Sequence, residues 1–461
     1  MAFTPEQLRS QLASLAPSSR LWLAFSGGLD STVLLHSLVS LDLPQPLTAL
    51  HINHQLSPNA CAWERHCEQE CKRLGVPLHI EKVNVQSTGR GIEDAAREAR
   101  YAVFSRYLGE NDWLLTGHHA DDQAETLLYR LMRGTGPRGL AAMARQRSLG
   151  AGTLWRPLLN VNRSELEDYA RAQGLSWVED ESNADLNYDR NYLRHKVLPV
   201  LAQRWPGFAE RWQQTAELCA HNETLLEELA SLDLTAAQPR SEWAGWSLAL
   251  GTVQELSLPR RLNVVRFWLQ GLGLPALGRK PLRDIAEQLL QEGERPSAEF
   301  SWGQWTLRRF QQRLYLLNRE DLPSPRIDLD AIPLSLPHEE NCHLPLPGGG
   351  ELRLDWQPAQ AGSGLLKANL PALQVRWRQG GERCRPYYRG HSQTLKNLLQ
   401  EVGLPPWWRA PLPLLYSGEQ LVAVGDLWVC HGFTAPPGSP GFRIQWCRNK
   451  AGREEGRASF N

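Results

Sequence analysis

The chain is 461 residues long, with 50 Lys and Arg against 50 Asp and Glu and 42% hydrophobic residues. That balance excludes a disordered or collagen-like chain, and the length suits two or three domains of roughly 100–200 residues each. No run approaches the roughly 20 apolar residues of a membrane span, and the start MAFTPEQLRSQLASL lacks the basic, apolar and cleavage segments of a signal peptide; a cytoplasmic protein with no membrane partner is expected.

Strand and helix signals alternate over the first 215 residues. Leu21 to Phe25 reads as a short strand that runs into Ser-Gly-Gly, and Asp30 to Ser40 as a helix. Leu47 to Asn53 is a second strand, Ala60 to Leu74 a helix ended by Gly75, and Leu78 to Val85 a third strand. Ile92 to Leu108, Asp112 to Thr116 and Asp121 to Arg133 continue the alternation as helix, strand and helix. This order predicts an α/β fold, a Rossmann-like parallel sheet with helices on both faces. Ligands of such sheets bind beyond the carboxyl ends of the strands, where Ser26, His51, His54, Gly117 and His118 fall.

Residues 216–320 carry helix-spaced apolar residues and predict a helical middle domain. Residues 321–350 are rich in Pro, end in LPLPGGG and read as a linker with little structure of its own. Residues 351–461 predict a small α+β domain, with strand-like ELRLDW, LQVRWR and QLVAVGDLWVC, one helix near Ser392 to Val402, and a mobile tail. The last 92 residues, 370–461, hold 12 Lys and Arg against 6 Asp and Glu. A basic end on a neutral chain suits an anionic partner, although a charged segment is more often a solvated face.

Eight cysteines are too few for a disulfide scaffold in this length, and none forms a C-x-x-C pair. Cys61, Cys67 and Cys71 share a predicted helix with His66; stray thiols outweigh a metal site there.

The sharpest motif is Ser26-Gly27-Gly28-Leu29-Asp30-Ser31, between a strand and a helix. Two glycines let the backbone turn tightly and approach a ligand, and the N–H groups at the helix start favour an anion. Ser26 and Ser31 add hydroxyls; Asp30 is either a helix cap or a holder of a divalent cation against phosphates. No Walker sequence is present, and Gly134-Thr-Gly136-Pro-Arg-Gly139, which mimics a dinucleotide fingerprint, follows a helix instead of a strand.

Three further segments carry clustered polar chemistry. In Gly91-Ile-Glu93-Asp-Ala-Ala-Arg97-Glu-Ala-Arg100-Tyr101, Arg97 and Arg100 share a helical face that suits phosphate, while Glu93 and Arg97 would also make an ordinary surface pair. In Thr116-Gly117-His118-His119-Ala-Asp121-Asp122-Gln123-Ala-Glu125, Asp122 and Glu125 lie one helical turn apart and converge on one ligand; such density would equally suit a metal in a hydrolase. Trp177 to Asn183, running on to Arg190, Asn191 and Arg194, alternates acids and arginines, which on its own reads as a solvated capping segment.

The six-residue loop resembles the pyrophosphatase loop of the N-type ATP pyrophosphatase (PP-loop) superfamily. Together with HINH at 51–54, G-I-E-x-x-A-R-x-x-R-Y at 91–101, HHADDQAET, Arg156-Pro-Leu-Leu159, the 179–194 run, R-W-R-x-G-G-E-R at 376–383, Lys396-Asn-Leu-Leu-Gln-Glu and Pro405-Pro-Trp407-Trp-Arg409, it is similar to the tRNA(Ile)-lysidine synthetase family over nearly the whole chain. The resemblance implies ATP-dependent joining of L-lysine to C2 of the wobble cytidine of an isoleucine tRNA precursor with a CAU anticodon. An adenylated cytidine intermediate, AMP and pyrophosphate are implied, and the change moves codon reading from AUG to AUA and identity from Met to Ile. It implies that loop 26–31 binds ATP, that Asp30 holds Mg²⁺, that Arg97 stabilises developing charge, and that Asp122, in preference to Glu125, orients the lysine amine and accepts its proton. A lysine amine with a pKa of about 10.4 needs such help at neutral pH. His118 and His119 would titrate near neutrality if unperturbed, or simply pack at the strand end.

Read the same way, Arg376, Arg378, Arg383, Arg385, Arg389 and Lys396 contact tRNA phosphates. Trp377, Tyr387, Tyr388, Trp407 and Trp408 stack on bases or form a small core, the tryptophans favouring core. The helical middle domain reads the tRNA body. A homodimer is compatible with the sequence. Two competing readings are a PP-loop tRNA thiolase, which the missing C-x-x-C disfavours, and a tRNA-binding protein with a relic loop, which the intact Ser, Gly and Asp set disfavours.

Overall fold

The computed structural model describes residues 2–13, 15–85, 92–242, 245–291, 298–322, 330–347, 350–358 and 364–447, with 92 and 93 as backbone. The chain divides into two compact units, Met1–Leu225 and Leu226–Asn461.

The first unit opens with α1 (Glu6–Leu12), β1 (Leu21–Ala24), α2 (Leu29–Ser40), β2 (Leu47–Asn53), α3 (Ala60–Leu74) and β3 (Leu78–Lys82). It continues with α4 (Ile92–Tyr107), β4 (Trp113–Leu115), α5 (Ala120–Met132), α6 (Pro137–Leu140), β5 (Gln146–Leu149), β6 (Gly152–Trp155) and α7 (Arg163–Ala172). The strands order as β3-β2-β1-β4-β6-β5, parallel except for β5. The expected α/β sheet is therefore present, with its strands and helices within a few residues of their expected ends. Alternation splits β1 between two cores: Leu21 and Leu23, with Phe25 just beyond, pack under α2, while Trp22 packs with Leu114, Leu154 and Phe104. From β1 the chain winds to one side through β2 and β3, then returns to place β4 on the other. The carboxyl ends of β1 and β4 therefore flank the switch point where such sheets bind ligands. After a short 3-10 turn at Glu181–Ala184 come α8 (Asp189–Tyr192), a π turn at Leu193–Val197, α9 (Leu198–Arg204) and α10 (Phe208–Ala236), which runs through the division between the units.

Beyond α10, the middle region is more than helices. It contains β7 (Arg240–Glu242), β8 (Gly245–Ala249), α11 (Leu250–Glu255), α12 (Leu258–Gly271), α13 (Arg279–Leu289), β9 (Glu299–Trp302), β10 (Trp305–Phe310) and β11 (Arg313–Asn318). The strands form an antiparallel sheet ordered β7-β8-β11-β10-β9, on which Val264, Val265, Trp268, Leu269, Ile285 and Leu289 are buried. The hairpins turn at Gly303 and at Gln311, both with positive φ. A Gln-Gln pair is not among the residues that announce a two-residue hairpin, so the strands flanking it escaped the sequence pattern.

The Pro-rich stretch 321–350 also corrects the expectation of an unstructured linker. It supplies β12 (Ile332–Leu334) and β13 (Cys342–Pro345). The rest of the unit comprises β14 (Glu351–Gln357), β15 (Leu366–Lys367), β16 (Leu373–Arg376), β17 (Arg383–Cys384), β18 (Gln393–Thr394), α14 (Leu395–Glu401), β19 (Leu414–Ser417), β20 (Gln420–Val424), β21 (Trp428–Val429) and β22 (Gly441–Cys447). Strand β12 is the edge of the sheet β12-β16-β19-β20-β21, and β13 the edge of β13-β14-β22-β15. Edges are where Pro333 and Pro345 are tolerated, because a missing N–H costs no ladder bond there. The tail 448–461 lies outside the described residues.

Strand β11 joins the two cores of the second unit: Leu316 points into the core under α12 and α13, and Leu317 into the core of the C-terminal sheets. Leu317→Ala is expected to destabilise the second unit by about 2–5 kcal/mol, the usual range for a fully buried leucine. Denaturant unfolding followed by tryptophan fluorescence would show it; an unchanged midpoint would contradict the shared-strand account.

Candidate active site

The loop 26–31 leaves β1 and enters α2. Gly27 has φ of +80°, and a side chain there would meet Cys67 Sγ at 2.9 Å and Val178 at 3.3 Å, so glycine is required on both grounds. Gly28 is the N-cap of α2, and Ser31 Oγ donates to its carbonyl at 3.0 Å. Ser26 and Ser31 hydroxyls lie 3.0 Å apart, and Val178 N donates to Gly27 O at 2.9 Å. His51, the first residue of HINH, braces the loop by donating from Nδ1 to Phe25 O at 2.9 Å.

The turn after β4 packs directly on this loop. At Gly117 a Cβ would lie 3.0 Å from the Asp30 carbonyl carbon and 3.1 Å from Ser31 N, so the two strand ends approach as closely as backbone permits. Close approach brings Asp30, Asp121 and Asp122 around the His119 imidazole. Its Nε2 stands 3.7 Å from Asp30 Oδ1 and 3.4 Å from Asp122 Oδ2, and its Nδ1 stands 3.5 Å from Asp121 Oδ2. Burial by itself would lower this imidazole, but Asp122, Asp121 and Asp30 outweigh it and lift its pKa to about 9, making His119 an internal cation at neutral pH. Burial raises Asp30, with His119 pulling against it, and Asp30 Oδ1 has no hydrogen-bond partner. Asp122 also receives the His119 backbone N–H at 3.1 Å. Burial pushes its carboxyl up, and His119, His118 and Arg194 together carry it below the usual range.

Arg194 closes the cluster. Its Nη2 donates to Asp122 Oδ1 at 3.0 Å and to Glu125 Oε2 at 2.9 Å. Burial raises the Glu125 carboxyl and Arg194 offsets that only in part. Arg194 sits in the π turn 193–197, a local widening of the helix of the kind found at functional sites. The structure thus brings together Asp30, Asp122 and Glu125, and adds two residues the pairwise spacing did not assign, His119 and Arg194. The run from Glu179 to Arg194 held the signal for the second; nothing in spacing announces that His119 is charged.

Arg97 stands apart from the carboxylates. It is exposed on α4, with Cζ 5.0 Å from the Tyr101 ring centroid, and it acts electrostatically on His118. Burial, with Arg156 and Arg97, holds His118 down at about 4 against the pull of Asp122; its Nδ1 shares a 2.8 Å hydrogen bond with Thr116 Oγ1. The Glu93 side chain lies outside the described residues.

In the second unit the expected phosphate contacts are mixed. Arg376 pairs with Glu419 at 3.2 Å, Arg378 with Glu382 at 3.6 Å, and Arg389 with Glu401. Arg383 and Arg385 line an open cavity of about 600 Å³ with Lys367 and His431. Lys396 is exposed on α14. Trp377 and Trp408 are buried, and Trp407 packs against Phe310 and Tyr315, so the tryptophans are core; Tyr387 and Tyr388 are exposed.

Comparison with known proteins follows the same division of the chain. Residues 4–201 match the PP-loop domain family, 248–315 the TilS substrate binding domain, and 373–446 the TilS substrate C-terminal domain. The chain is 40% identical over 449 residues to the tRNA(Ile)-lysidine synthase of Coxiella burnetii, covering 96% of each. It is 42% identical to that of Alkalilimnicola ehrlichii over 94% of this chain and 96% of the other, and 41% identical to that of Pseudomonas fluorescens over 96% of each.

The cysteines near the loop are sealed in. Cys67 and Cys71 are buried, and burial pushes the Cys71 thiol up to about 12 and Cys67 higher still, whereas Cys61 is exposed. In the native protein at pH 8, a disulfide reagent is expected to label Cys61 rapidly and Cys67 and Cys71 only on unfolding. Peptide mapping would check this; rapid native labelling of Cys67 would reopen a sulfur-transfer role.

Proposed function

The chain belongs to the tRNA(Ile)-lysidine synthase family, an ATP-using ligase family, and from that premise we propose how its residues divide the reaction. The substrates are ATP, L-lysine and an isoleucine tRNA precursor with a CAU anticodon. The observation that carries the reading is the junction of an anion-binding loop with a carboxylate–arginine cluster at one switch point.

In the first half, the cytidine C2 carbonyl oxygen attacks the α-phosphate of ATP and pyrophosphate leaves. The Gly27 and Gly28 backbone, the first amides of α2 and the Ser26 and Ser31 hydroxyls hold the departing phosphates, as helix N-termini do. Asp30 fits a role toward Mg²⁺, because its Oδ1 is buried and accepts no hydrogen bond. Mg²⁺ characteristically takes one or two carboxylates and completes its shell with phosphate and water. Bound there, Mg²⁺ would neutralise charge on the pyrophosphate. Arg97 serves the RNA side of the site.

In the second half, the lysine ε-amine attacks C2, the adenylated oxygen departs with AMP, and the amine gives up its proton. Arg194 suits the carboxylate of an amino acid, and Asp122 and Glu125 suit its ammonium groups. The electrostatics favour Glu125, raised by burial, as the proton acceptor and Asp122, held low, as the orienting charge. Buried high-pKa thiols give the thiolase alternative little support.

The exposed cations Arg383 and Lys396 and the half-buried Arg385, with Tyr387 and Tyr388, remain candidates for tRNA contact, whereas Arg376, Arg378 and Arg389 are already paired with acids. Among the described residues no helix is long and apolar enough to cross a membrane, and a cytoplasmic site of action belongs to the proposal.

The deciding experiment follows AMP and pyrophosphate release with CAU-anticodon tRNA, with and without L-lysine, and weighs the wobble nucleoside. Lysine-dependent AMP release and a nucleoside heavier by lysine minus water are expected; pyrophosphate without lysine incorporation would change the nucleophile. Asp30→Ala is expected to abolish pyrophosphate release with tRNA affinity intact, and Arg194→Met to raise the KM for lysine with that for ATP unchanged. A normal lysine KM in Arg194→Met would remove Arg194 from the amino-acid site. Neutralising Arg383, Arg385 and Lys396 together is expected to weaken tRNA binding and lower the slope of log Kd against log salt; an unchanged slope would exclude them from the RNA footprint.

A further inference from the structure

Arg97 and Arg156 both act electrostatically on His118, and they belong to a group of arginines of which the reaction as described uses only Arg97. Strand β6 ends at Trp155, whose carbonyl accepts from Thr116 N at 3.0 Å, so Arg156 and the turn carrying His118 emerge side by side from the carboxyl edge of the sheet. The Arg156 side chain is 3% exposed, donates from Nη1 to Ala144 O at 2.5 Å, and has no partner for Nε. Tyr101 stands beside it, with Arg97 Cζ and Arg147 Cζ 5.0 and 4.9 Å from its ring centroid. Arg130 is anchored through Nη1 to the carbonyls of Gly139 and Ala142, at 3.1 and 2.6 Å.

The largest charges acting on Arg156 are those of Tyr101, Arg147 and Arg97, and on Arg130 those of Arg190 and Arg97. Arg130, Arg147 and Arg156 make no ion pair among the described residues. Like charges gathered without acids, one of them buried with an idle donor, are costly unless an anion completes them.

We propose that Arg97, Arg147 and Arg156, gathered around Tyr101, with Arg130 in electrostatic reach of Arg97, form a seat for phosphodiester groups of the RNA strand that flank the nucleotide being modified. This rests on the reading of a tRNA as the substrate. The triphosphate already has a receptor in loop 26–31. A strand that presents one base to the carboxylate cluster must leave its backbone phosphates outside it, and guanidiniums bind such groups in fixed orientation. The seat positions the wobble base and reads no sequence.

The test uses the full chain and a CAU anticodon stem-loop RNA without ATP, titrated by fluorescence anisotropy over a series of salt concentrations. Arg147→Gln and Arg156→Gln are each expected to weaken binding about ten-fold and to reduce the salt slope by about 0.7, the value for one single-strand phosphate. Arg156→Lys should recover part of the affinity. Methylphosphonate linkages flanking the wobble position should weaken the wild type and leave Arg147→Gln no weaker than before. Arg147 is exposed, so its variant reports even where Arg156→Gln misfolds. Unchanged affinity and slope in a folded Arg147→Gln would overturn the proposal, as would an effect confined to the KM for ATP. Lysine incorporation by the wild type, run in parallel, separates the failures. Incorporation alongside variants that bind normally defeats the seat alone; phosphate-dependent binding without incorporation supports the seat and defeats the ligase reading.

Discussion

Carboxylates cannot crowd one corner of a sheet unless cations stand between them, and the first unit is arranged around that constraint. Asp30, Asp121, Asp122 and Glu125 converge where β1 and β4 end, and His119 and Arg194 make the convergence tolerable. The imidazole is 1% exposed and the guanidinium half-buried, so both act through a medium that screens poorly. The rest follows from supplying those two charges. Gly117 lets the β4 turn approach α2, and the segment from Val178 onward returns to Gly27 and carries Arg194 in on a π turn.

The second unit solves a different problem. Its two cores would each leave one face of β11 exposed if the other were absent. Leu316 and Leu317 fill both, and Trp407 packs across from the C-terminal part onto Phe310 and Tyr315. The Pro-rich stretch contributes edge strands to the C-terminal sheets, so it is part of their architecture.

Legibility in the sequence follows the range of the forces involved. Helices such as Ala60–Leu74 and the strand Leu47–Asn53 were readable because apolar period and a terminal glycine are local signals. The loop 26–31 was readable because its glycines answer a local backbone demand. The strands flanking Gln311 were not, since their turn uses residues without a turn signature and their pairing partners lie tens of residues away. At the site, Asp122 and Glu125 showed as a helical pair, but the charge on His119 comes from Asp122, Asp121 and Asp30 acting together against its burial, and Asp30 is distant in sequence. Likewise the core role of Trp377 and Trp408 depends on packing that composition left open.

One residue explains how such opposite fields coexist. Acids outnumber cations in the carboxylate cluster, which suits an ammonium and a divalent ion; the arginines around Tyr101 carry no acids, which suits phosphates. His118 feels Asp122 from one group and Arg156 and Arg97 from the other, and burial keeps it neutral, with a pKa of about 4. A charged imidazole there would repel the arginines, and a carboxylate would neutralise them. A neutral, hydrogen-bonded ring lets the two fields meet without cancelling.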